Sequence, residues 1–184
     1  GDTTGTIIIA NIVDDTIDET DETVIITLSS PSNASLGSDK VHTYTITDDD
    51  DQPEISFNVT TSSGSESISS TAITVDLSSA SSSDITVNYA VSGSAVGSGT
   101  DYTLADGTLT INAGETSATI IITGIIDDLS SEGNETVIIT LSSPSNAILG
   151  DDRVHTYTIN DNDGTPTVSF SEITSSNLES VSST

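Results

Sequence analysis

The strongest constraint on the fold is an internal repeat with a spacing of 113 residues (119 − 6 = 113). Residues 6–57 and 119–170 align without a gap, and 35 of the 52 aligned positions are identical. The segment Glu22–Ala34 recurs unchanged as Glu135–Ala147. Solenoid and propeller units are roughly 20–50 residues long, whereas this spacing has the length of a whole domain. The sequence therefore predicts a tandem array of domains.

The repeat also predicts where the domains lie. Residues 1–52 correspond to the C-terminal half of one repeat, residues 53–163 to a complete repeat, and residues 164–184 to the start of the next. Because these ends do not fall on repeat boundaries, we expect the sequence to be a window on a longer repetitive chain. The alternative is a subunit whose half-domains are completed by its neighbours through strand donation.

The complete repeat consists of short β-branched runs separated by Gly, Ser, Asn and Asp. Ile73, Val75 and Leu77 alternate with polar residues, as expected of a half-buried strand. About seven such runs, with turns such as Ser63–Ser65 between them and no helical period, predict an all-β sandwich with Greek-key connections. The run Ile120–Ile122 does not alternate, so we expect that strand to be covered on both faces.

An acidic segment between two of these runs is the candidate functional site. Asp127, Asp128, Glu132 and Glu135 follow Ile126 without a Lys or Arg close by in sequence. Like charges brought together raise the energy of the folded chain unless a cation lies among them. Ca²⁺ takes about six to eight oxygen ligands, and loops at one end of a sandwich can supply them. The alternative is a solvated acidic surface that keeps the protein in solution.

The charge balance excludes several classes of partner. The chain has 29 Asp and Glu against 2 Lys and Arg, a net charge of −27. No basic patch can form to meet phosphates, so nucleic-acid binding is not expected. No apolar run approaches the ~20 residues of a membrane span, so no membrane insertion is expected in this segment. Without cysteine, neither disulfides nor thiolate chemistry is available.

The chemistry of an enzyme is not evident either. The two histidines, His42 and His155, occupy the same position of the repeat. No nucleophile with an orienting acid accompanies them, so a packed structural role is expected. Paired carboxylates can hydrolyse glycosides. A chain without Trp and with 3% aromatic residues, however, has few aromatic side chains to line a sugar-binding cleft. We therefore expect no enzymatic activity.

Several short motifs, taken in order, resemble the Calx-beta domain family. They are Ile55–Phe57, Gly99–Thr103, Asp106–Ile111, Asn112–Glu115, Asp127–Asp128, Asn134–Thr136, Leu141–Pro144, Ala147–Gly150 and Thr156–Asp163. No single motif is specific, but the ordered set covers residues 53–163, and its members recur in the flanking parts. The resemblance implies immunoglobulin-like β-sandwiches that bind several Ca²⁺ ions at one end, near the junction with the next domain.

The resemblance also implies a set of ligands. In the complete repeat they are Glu66, Asp101, Asp127, Asp128, Glu132, Asp161 and Asp163. In the first repeat they are Asp14, Asp15, Glu19, Asp48, Asp49 and Asp50, without counterparts of Glu66 and Asp101. In the third repeat Glu179 is the counterpart of Glu66. Asn162 replaces the middle acid of the run that the first repeat keeps as Asp48–Asp50, which leaves the number of ions open.

These inferences predict a calcium-binding structural repeat of an extracellular filament or adhesin stalk. Acidic residues lie in the short linkers before Pro53 and Pro166. The junction between successive domains is therefore expected to be flexible without cation and to become rigid when Ca²⁺ binds. The expected partners are neighbouring repeats of the same chain or like subunits in a filament, and a surface ligand of unknown kind. The alternatives are a ligand-binding adhesion module and a Ca²⁺-sensor domain.

Overall fold

The computed structural model describes residues 3–176, and the regular elements among them are β-strands. In chain order they are β1 (Glu22–Thr27), β2 (Val41–Ile46), β3 (Glu54–Phe57), β4 (Thr61–Ser65), β5 (Ser70–Leu77), β6 (Ile85–Gly93), β7 (Gly107–Ile111), β8 (Ser117–Thr123), β9 (Glu135–Ser145), β10 (Ile148–Leu149) and β11 (Val154–Asn160). Within the described residues, no helix has the length and apolar character needed to cross a bilayer.

The strands of the complete repeat form two sheets around one core. One sheet has the order β10-β3-β5-β8, and the other has the order β4-β11-β9-β6-β7. The buried cluster contains Ile73, Val75 and Leu77 from the first sheet together with Val137 and Ile139 from the second. Burial of apolar area at roughly 25 cal/mol per Å² holds the two sheets together. The all-β sandwich expected from the alternation of apolar residues is confirmed.

Two short strands add to the about seven that the alternation of apolar residues indicates. The segment Ser63–Ser65, expected to be a turn, belongs to β4, which pairs in parallel with β11. Its polar composition has low strand propensity, so the hydrogen bonds of β11 decide its conformation. Gly64 permits the pairing, since a Cβ at this position would collide with the hydroxyl group of Tyr157. The second addition, β10, pairs in parallel with β3.

The expectation that the run Ile120–Ile122 is covered on both faces is wrong. Ile120 and Ile122 are buried, but the side chain of Ile121 is 51% exposed. β8 is an edge strand that packs on the core through one face. Antiparallel sheets commonly leave their second face in water, and a single exposed isoleucine is tolerated there.

His155 is fully buried and has the expected structural role. Its Nδ1 lies 2.7 Å from the carbonyl oxygen of Val59, and its Nε2 lies 2.8 Å from the hydroxyl oxygen of Ser62. A carbonyl only accepts, so in the neutral ring Nδ1 carries the proton and Nε2 accepts from Ser62. The ring also lies 5.4 Å from the ring of Phe57, measured between centroids. His155 therefore holds the β3–β4 connection against β11.

Residues 3–52 form only part of a sandwich. β1 and β2 pair in the same register as β9 and β11, from Glu22↔Ile46 to Thr27↔Val41. Residues 4–10 correspond to β8 but form no strand. In the complete repeat β8 pairs with β5, and residues 1–52 contain no counterpart of β5. An unpaired strand leaves its backbone groups without partners, so this segment stays irregular.

Candidate metal centre

Carboxylates from separate segments meet at one end of the complete repeat. The parallel pairing of β4 with β11 places Ser65 opposite Asn160, where both strands end. The next residue, Glu66, donates its backbone N–H to the carbonyl oxygen of Asn160 at 3.1 Å. Glu66 consequently lies beside the acidic tail that follows β11. The acidic segment between β8 and β9 ends at the same edge, because β9 pairs with β11 through Glu135↔Ile159.

Glu66, Asp161 and Asp163 form the tightest group. Each offers one carboxylate oxygen, and these oxygens lie within 4.8 Å of one another. Glu66 is 8% exposed, and Oδ2 of Asp163 is buried without a hydrogen-bond partner. A buried oxygen without a partner is unfavourable. A hard cation such as Ca²⁺ would supply the missing interaction, so the donor set fits such an ion.

Asn162 organises one side of this group. Its backbone N–H donates to Oε1 of Glu66 at 3.2 Å. Its Nδ2 donates to Oδ1 of Asp127 at 3.1 Å and to the hydroxyl of Ser65 at 3.2 Å. A neutral amide thus bridges acids at a position where the first repeat carries Asp49. With both amide hydrogens engaged, Oδ1 is the side-chain atom of Asn162 that could still bind an ion.

Backbone hydrogen bonds fix the loop and the tail against each other. Oδ2 of Asp161 accepts from the backbone N–H of Glu132 at 2.8 Å, and Oδ1 accepts from that of Asp163 at 2.9 Å. Oδ1 of Asp128 accepts from the backbone N–H of Ser130 at 2.6 Å. Each bond satisfies one carboxylate oxygen with a backbone donor. The loop therefore has a defined shape before any ion is considered.

A small cavity adjoins this group. Its volume is about 30 Å³, and its acidic lining residues are Glu66, Asp101, Asp128, Glu132 and Glu135. That volume is close to the share of one water molecule in the liquid. Glu135 belongs to the acidic segment but is not among the expected ligands. Glu135 is the first residue of β9 and lies three residues after Glu132. This position is the sequence signal that would have favoured its inclusion among the expected ligands.

The titration of Glu66 and Asp163 reflects burial together with the crowding of negative charge. The hydrogen bond from Asn162 lowers the pKa of Glu66, but burial and the charges of Asp161, Asp163 and Asp127 outweigh it, so the pKa is raised. Burial, followed by repulsion from Asp161 and Asp127, raises the pKa of Asp163. Both groups thus favour acquiring positive charge, either as a proton or as a bound cation.

Glu135 and Asp161 depart from their ordinary behaviour in opposite directions. Burial, and then a hydrogen bond with Asp101, raises the pKa of Glu135. The backbone N–H groups of Asp163 and Glu132 hold the pKa of Asp161 below its usual value against the effect of burial. Asp161 is therefore the carboxylate of this group that keeps its charge most readily.

The structure brings all seven expected ligands of the complete repeat to this one end. Their role as metal ligands stays a prediction. In the first repeat, a cavity of about 300 Å³ is lined by the six expected residues Asp14, Asp15, Glu19, Asp48, Asp49 and Asp50, and also by Glu22. Glu179, expected in the third repeat, lies outside the described residues.

The first-repeat loop keeps the local hydrogen bonds of the complete repeat. The backbone N–H of Glu19 donates to Oδ2 of Asp48 at 3.0 Å, and that of Ile17 donates to Oδ1 of Asp15 at 2.9 Å. Partial desolvation, and then repulsion from acids including Asp15 and Asp48, raises the pKa of the exposed Glu19. Among residues 3–176, the close three-carboxylate group occurs only in the complete repeat. Residues 1–52 contain no counterparts of Glu66 and Asp101 to close the first site.

Comparisons with solved structures agree with this architecture. The apo form of the Calx CBD1 domain is 24% identical to this chain, covers 61% of it and 100% of its own length, and has a TM-score of 0.55. The calcium binding domain CBD12 of CALX1.1 is 24% identical, with 60% of this chain and 46% of that chain covered and a TM-score of 0.54. The Calx CBD2 domain is 15% identical, with 59% and 86% covered and a TM-score of 0.52. At these identities the likeness concerns the fold.

A comparison with curated protein sequences gave no significant match. The model of the Calx-beta domain family matches twice, over residues 1–50 and over residues 48–163. Both matches contain an acidic loop and the β-hairpin that follows it, the parts that the internal repeat duplicates. Together they span most of the sequence, so the chain belongs to the Calx-beta domain family.

Proposed function

We propose that this chain is a calcium-binding structural repeat whose ions stiffen the junctions between successive domains of an extracellular filament or adhesin stalk. The observation that carries the proposal is the group of Glu66, Asp161 and Asp163, with the buried and unpartnered Oδ2 of Asp163. One of the solved structures of similar fold is named a calcium binding domain, which supports the same choice of ion.

The donor set favours Ca²⁺ over other divalent cations. The residues around the site supply carboxylate and amide oxygens and no sulfur. The buried ring nitrogens of His155 are engaged elsewhere, by Val59 and Ser62. Zn²⁺ prefers nitrogen and sulfur ligands. Mg²⁺ demands near-ideal octahedral geometry, whereas Ca²⁺ accepts irregular sets of oxygens from several loops.

The position of the acids couples ion binding to the linker. Asp161 and Asp163 belong to the tail between β11 and Pro166, while Glu66 and Asp101 belong to the body of the domain. An ion bound by both sets ties the start of the linker to the sandwich. Without it, the carboxylates repel one another at short range. Binding to the folded form alone also stabilises that form by mass action.

A contact between successive repeats supports a junction of this kind. Asp18 lies in the acidic loop of the first repeat, and its carbonyl oxygen accepts from the backbone N–H of Ser82 at 3.3 Å and from the Ser82 hydroxyl at 3.1 Å. Asp18 also forms a parallel bridge with Ser81, which is buried. The acidic loop of one repeat thus lies against a serine-rich turn of the next. Ordering that loop orders the contact as well.

A structural role is favoured over a catalytic one. The imidazole of His155 is buried, and its Nδ1 faces the carbonyl of Val59 instead of an orienting carboxylate. The neighbouring hydroxyl of Ser62 is consequently not activated as a nucleophile. The carboxylates of the acidic end have no aromatic side chain among the residues that line their cavity.

Calorimetric titration with Ca²⁺, combined with small-angle scattering with and without chelator, tests this function on the 184-residue chain. We expect weak sites, with dissociation constants on the order of 10⁻⁴–10⁻³ M, and a larger maximum dimension in Ca²⁺. Asp163→Asn should weaken binding and reduce the lengthening. Glu115→Gln, an exposed acid in the turn between β7 and β8, is the matched control and should change neither.

Three results would each overturn the proposal or a part of it. Scattering curves that coincide with and without Ca²⁺ would remove the stiffening role. Tight sites with a purely local change would favour the Ca²⁺-sensor alternative. Equal binding by the Asp163→Asn and wild-type chains would remove the assigned site.

A further inference from the structure

The acidic tail of the complete repeat contains a chemically reactive pair of residues. Asp163 is followed by Gly164, and the sequence has one other Asp–Gly pair, Asp106–Gly107. The backbone nitrogen of the residue after an aspartate can attack the side-chain carboxyl carbon and close a five-membered succinimide ring. Glycine favours this attack, because it has no Cβ to hinder the approach and has the widest range of backbone conformations. Both pairs are therefore candidates for a rearrangement of the main chain.

The fold constrains the pair Asp106–Gly107. Oδ1 of Asp106 accepts a hydrogen bond from the backbone N–H of Val91 at 2.7 Å. Gly107 is the first residue of β7 and pairs with Tyr89 of β6. A Cβ at Gly107 would collide with the hydroxyl group of Tyr89, so the backbone is closely packed here. Ring closure at this pair would disturb the start of β7, and we expect no reaction while the sheet is intact.

The pair Asp163–Gly164 has neither constraint. It follows β11 in an irregular segment, and Gly164 is exposed. A Cβ at Gly164 would have no neighbour within 4 Å. Among the described residues, Oδ2 of Asp163 has no hydrogen-bond partner to hold the carboxyl group. The backbone nitrogen of Gly164 can therefore approach the carboxyl carbon of Asp163 without breaking a strand pairing.

The first junction shows that a folded neighbour leaves this position accessible. The counterpart of Gly164 is Asp51 (164 − 113 = 51), which is exposed although the complete repeat follows it directly. The first junction carries Asp50–Asp51 where the second carries Asp163–Gly164. The reactive pair is consequently a difference between two junctions that are otherwise alike.

We propose that Asp163 rearranges spontaneously to isoaspartate and that bound Ca²⁺ slows this reaction. In the first step, the nitrogen of Gly164 forms a bond to Cγ of Asp163 in its protonated form. The Cγ–OH bond breaks, and the hydroxyl group leaves with the amide hydrogen as water. In the second step, water adds to the former main-chain carbonyl carbon of Asp163, whose bond to the Gly164 nitrogen breaks as that nitrogen takes up hydrogen. The product has the composition of the original chain, but its main chain runs through the side-chain methylene group.

The rearrangement changes the candidate metal centre and the linker together. The carboxylate of residue 163 becomes attached directly to Cα, so it leaves its position beside the oxygens of Glu66 and Asp161, and the linker gains one main-chain atom. The protective effect of Ca²⁺ rests on the proposed function: an ion bound to Asp163 keeps the carboxylate ionised, and an ionised carboxylate does not lose a hydroxyl group. At a free Ca²⁺ concentration about ten times the dissociation constant, about a tenth of the sites are empty, so the reaction should be about tenfold slower.

Incubation of the folded 184-residue chain in heavy-oxygen water tests this inference. Opening of the ring places heavy oxygen in the aspartate that reacted, and proteolysis followed by mass spectrometry with electron-based fragmentation locates both the label and the isoaspartate linkage. In chelator we expect both at residue 163 and neither at residue 106. In urea, where β7 no longer constrains Asp106, both aspartates should be labelled. Gly164→Ala places its Cβ in open space, so this variant should fold normally and be labelled several-fold more slowly at residue 163.

Three results would overturn the rearrangement: no label at residue 163 in the folded chain, equal labelling of residues 106 and 163 in that chain, or an unchanged rate in Gly164→Ala. Equal rates in chelator and in Ca²⁺, for a chain that binds Ca²⁺ in the calorimetric titration, would overturn the protective effect. Labelling in chelator requires no ion, so a failure of the calcium proposal is recognised separately, by the absence of binding in that titration.

Discussion

One segment of this chain occurs twice in two different environments. Glu22–Ala34 and Glu135–Ala147 are identical in sequence. The first forms the 6-residue strand β1, and the second forms the 11-residue strand β9. Leu28 is 51% exposed, whereas its counterpart Leu141 is 1% exposed. Identical residues thus take part in a core in one place and remain in water in the other.

The two copies agree in everything that depends on near neighbours. The pairing of β1 with β2 has the register of β9 with β11. Ser30 and Ser143 both have φ of 48°. The acidic loops before both hairpins share their hydrogen bonds, such as Glu19 to Asp48 and Glu132 to Asp161. The comparison teaches that loop and hairpin form a local unit, whereas burial and closure of the site come from the rest of the sandwich.

The largest difference between the copies is expected for core truncation. Ile139→Ala should lower the free energy of unfolding by about 2–5 kcal/mol, because it removes a fully buried side chain and leaves a cavity. Ile26→Ala, the same change at a half-buried position, should have an effect below about 1 kcal/mol. Urea unfolding in chelator at low protein concentration measures both. Equal losses would contradict the difference in burial between the two positions.

The next difference concerns the affinity for Ca²⁺. Asp161→Asn should weaken binding to the complete repeat at least about tenfold, or 1.4 kcal/mol, because it removes charge from a group of oxygens within 4.8 Å. Asp48→Asn, its counterpart, should have a smaller effect because the first site lacks two closing acids. Calorimetric titration of both variants makes the comparison. An equal loss of affinity in the two variants would contradict the expected difference between the two sites.

Exchanging the residue that distinguishes the two acidic tails should have a moderate effect. Asn162→Asp removes the amide that bonds Asp127 and Ser65, so without Ca²⁺ the domain should lose about 1 kcal/mol of stability. In Ca²⁺ the added carboxylate should raise the stabilisation above that of the wild type. Thermal unfolding in chelator and in Ca²⁺ measures both effects. The reciprocal variant, Asp49→Asn, should show the opposite trend; the same trend in both would contradict the role assigned to Asn162.

The smallest effect is expected from pH. The pKa values of Glu66 and Asp163 are raised above their usual 4.5 and 3.8. Their stabilising contribution is present below those usual values and is lost as pH rises through the folded-state values. Asp161 has a lowered pKa, so its contribution is present above its usual value and is lost as pH falls through the lower folded-state value.

Together these groups should make the calcium-free domain modestly less stable as pH rises from about 4 to 7. Protons compete with Ca²⁺ for the same oxygens, so affinity should fall several-fold as pH falls from about 7 to 5. Unfolding in calcium-free buffer and titration at several pH values check the two trends. In a Glu66→Gln variant, stability and Ca²⁺ affinity should depend less on pH. An unchanged pH dependence would show that Glu66 does not contribute to it.

Much of the acidic end could be predicted from sequence because its members are local. Asp127, Asp128 and Glu132 lie in one segment, and the charge of that segment is visible without a structure. Asp161 and Asp163 follow the last strand, which identifies them as a second local group. Glu135 is harder to assign, because its place at the start of β9 matters only when Asp101 lies beside it.

The side-chain hydrogen bonds of Asn162 could not be predicted from any local sequence pattern. They join positions 97 and 35 residues apart, at Ser65 and Asp127. The same holds for β4, whose serine-rich sequence has no alternation of its own and which becomes a strand because β11 lies next to it. Contacts between residues far apart in sequence depend on how the sheets close, which a local pattern does not encode.

The sequence by itself determined the repeat, the strands with clear alternation, the hairpin registers and the acidic loops. These features arise from steric preferences, turn residues and hydrogen bonds over short separations, and they are the same in both copies. The tertiary structure decided which copy buries its apolar face, how far β9 extends and whether the carboxylates close around a common point. Those outcomes require β3 to β7 to be present, because burial and pairing depend on partners that the segment itself does not contain.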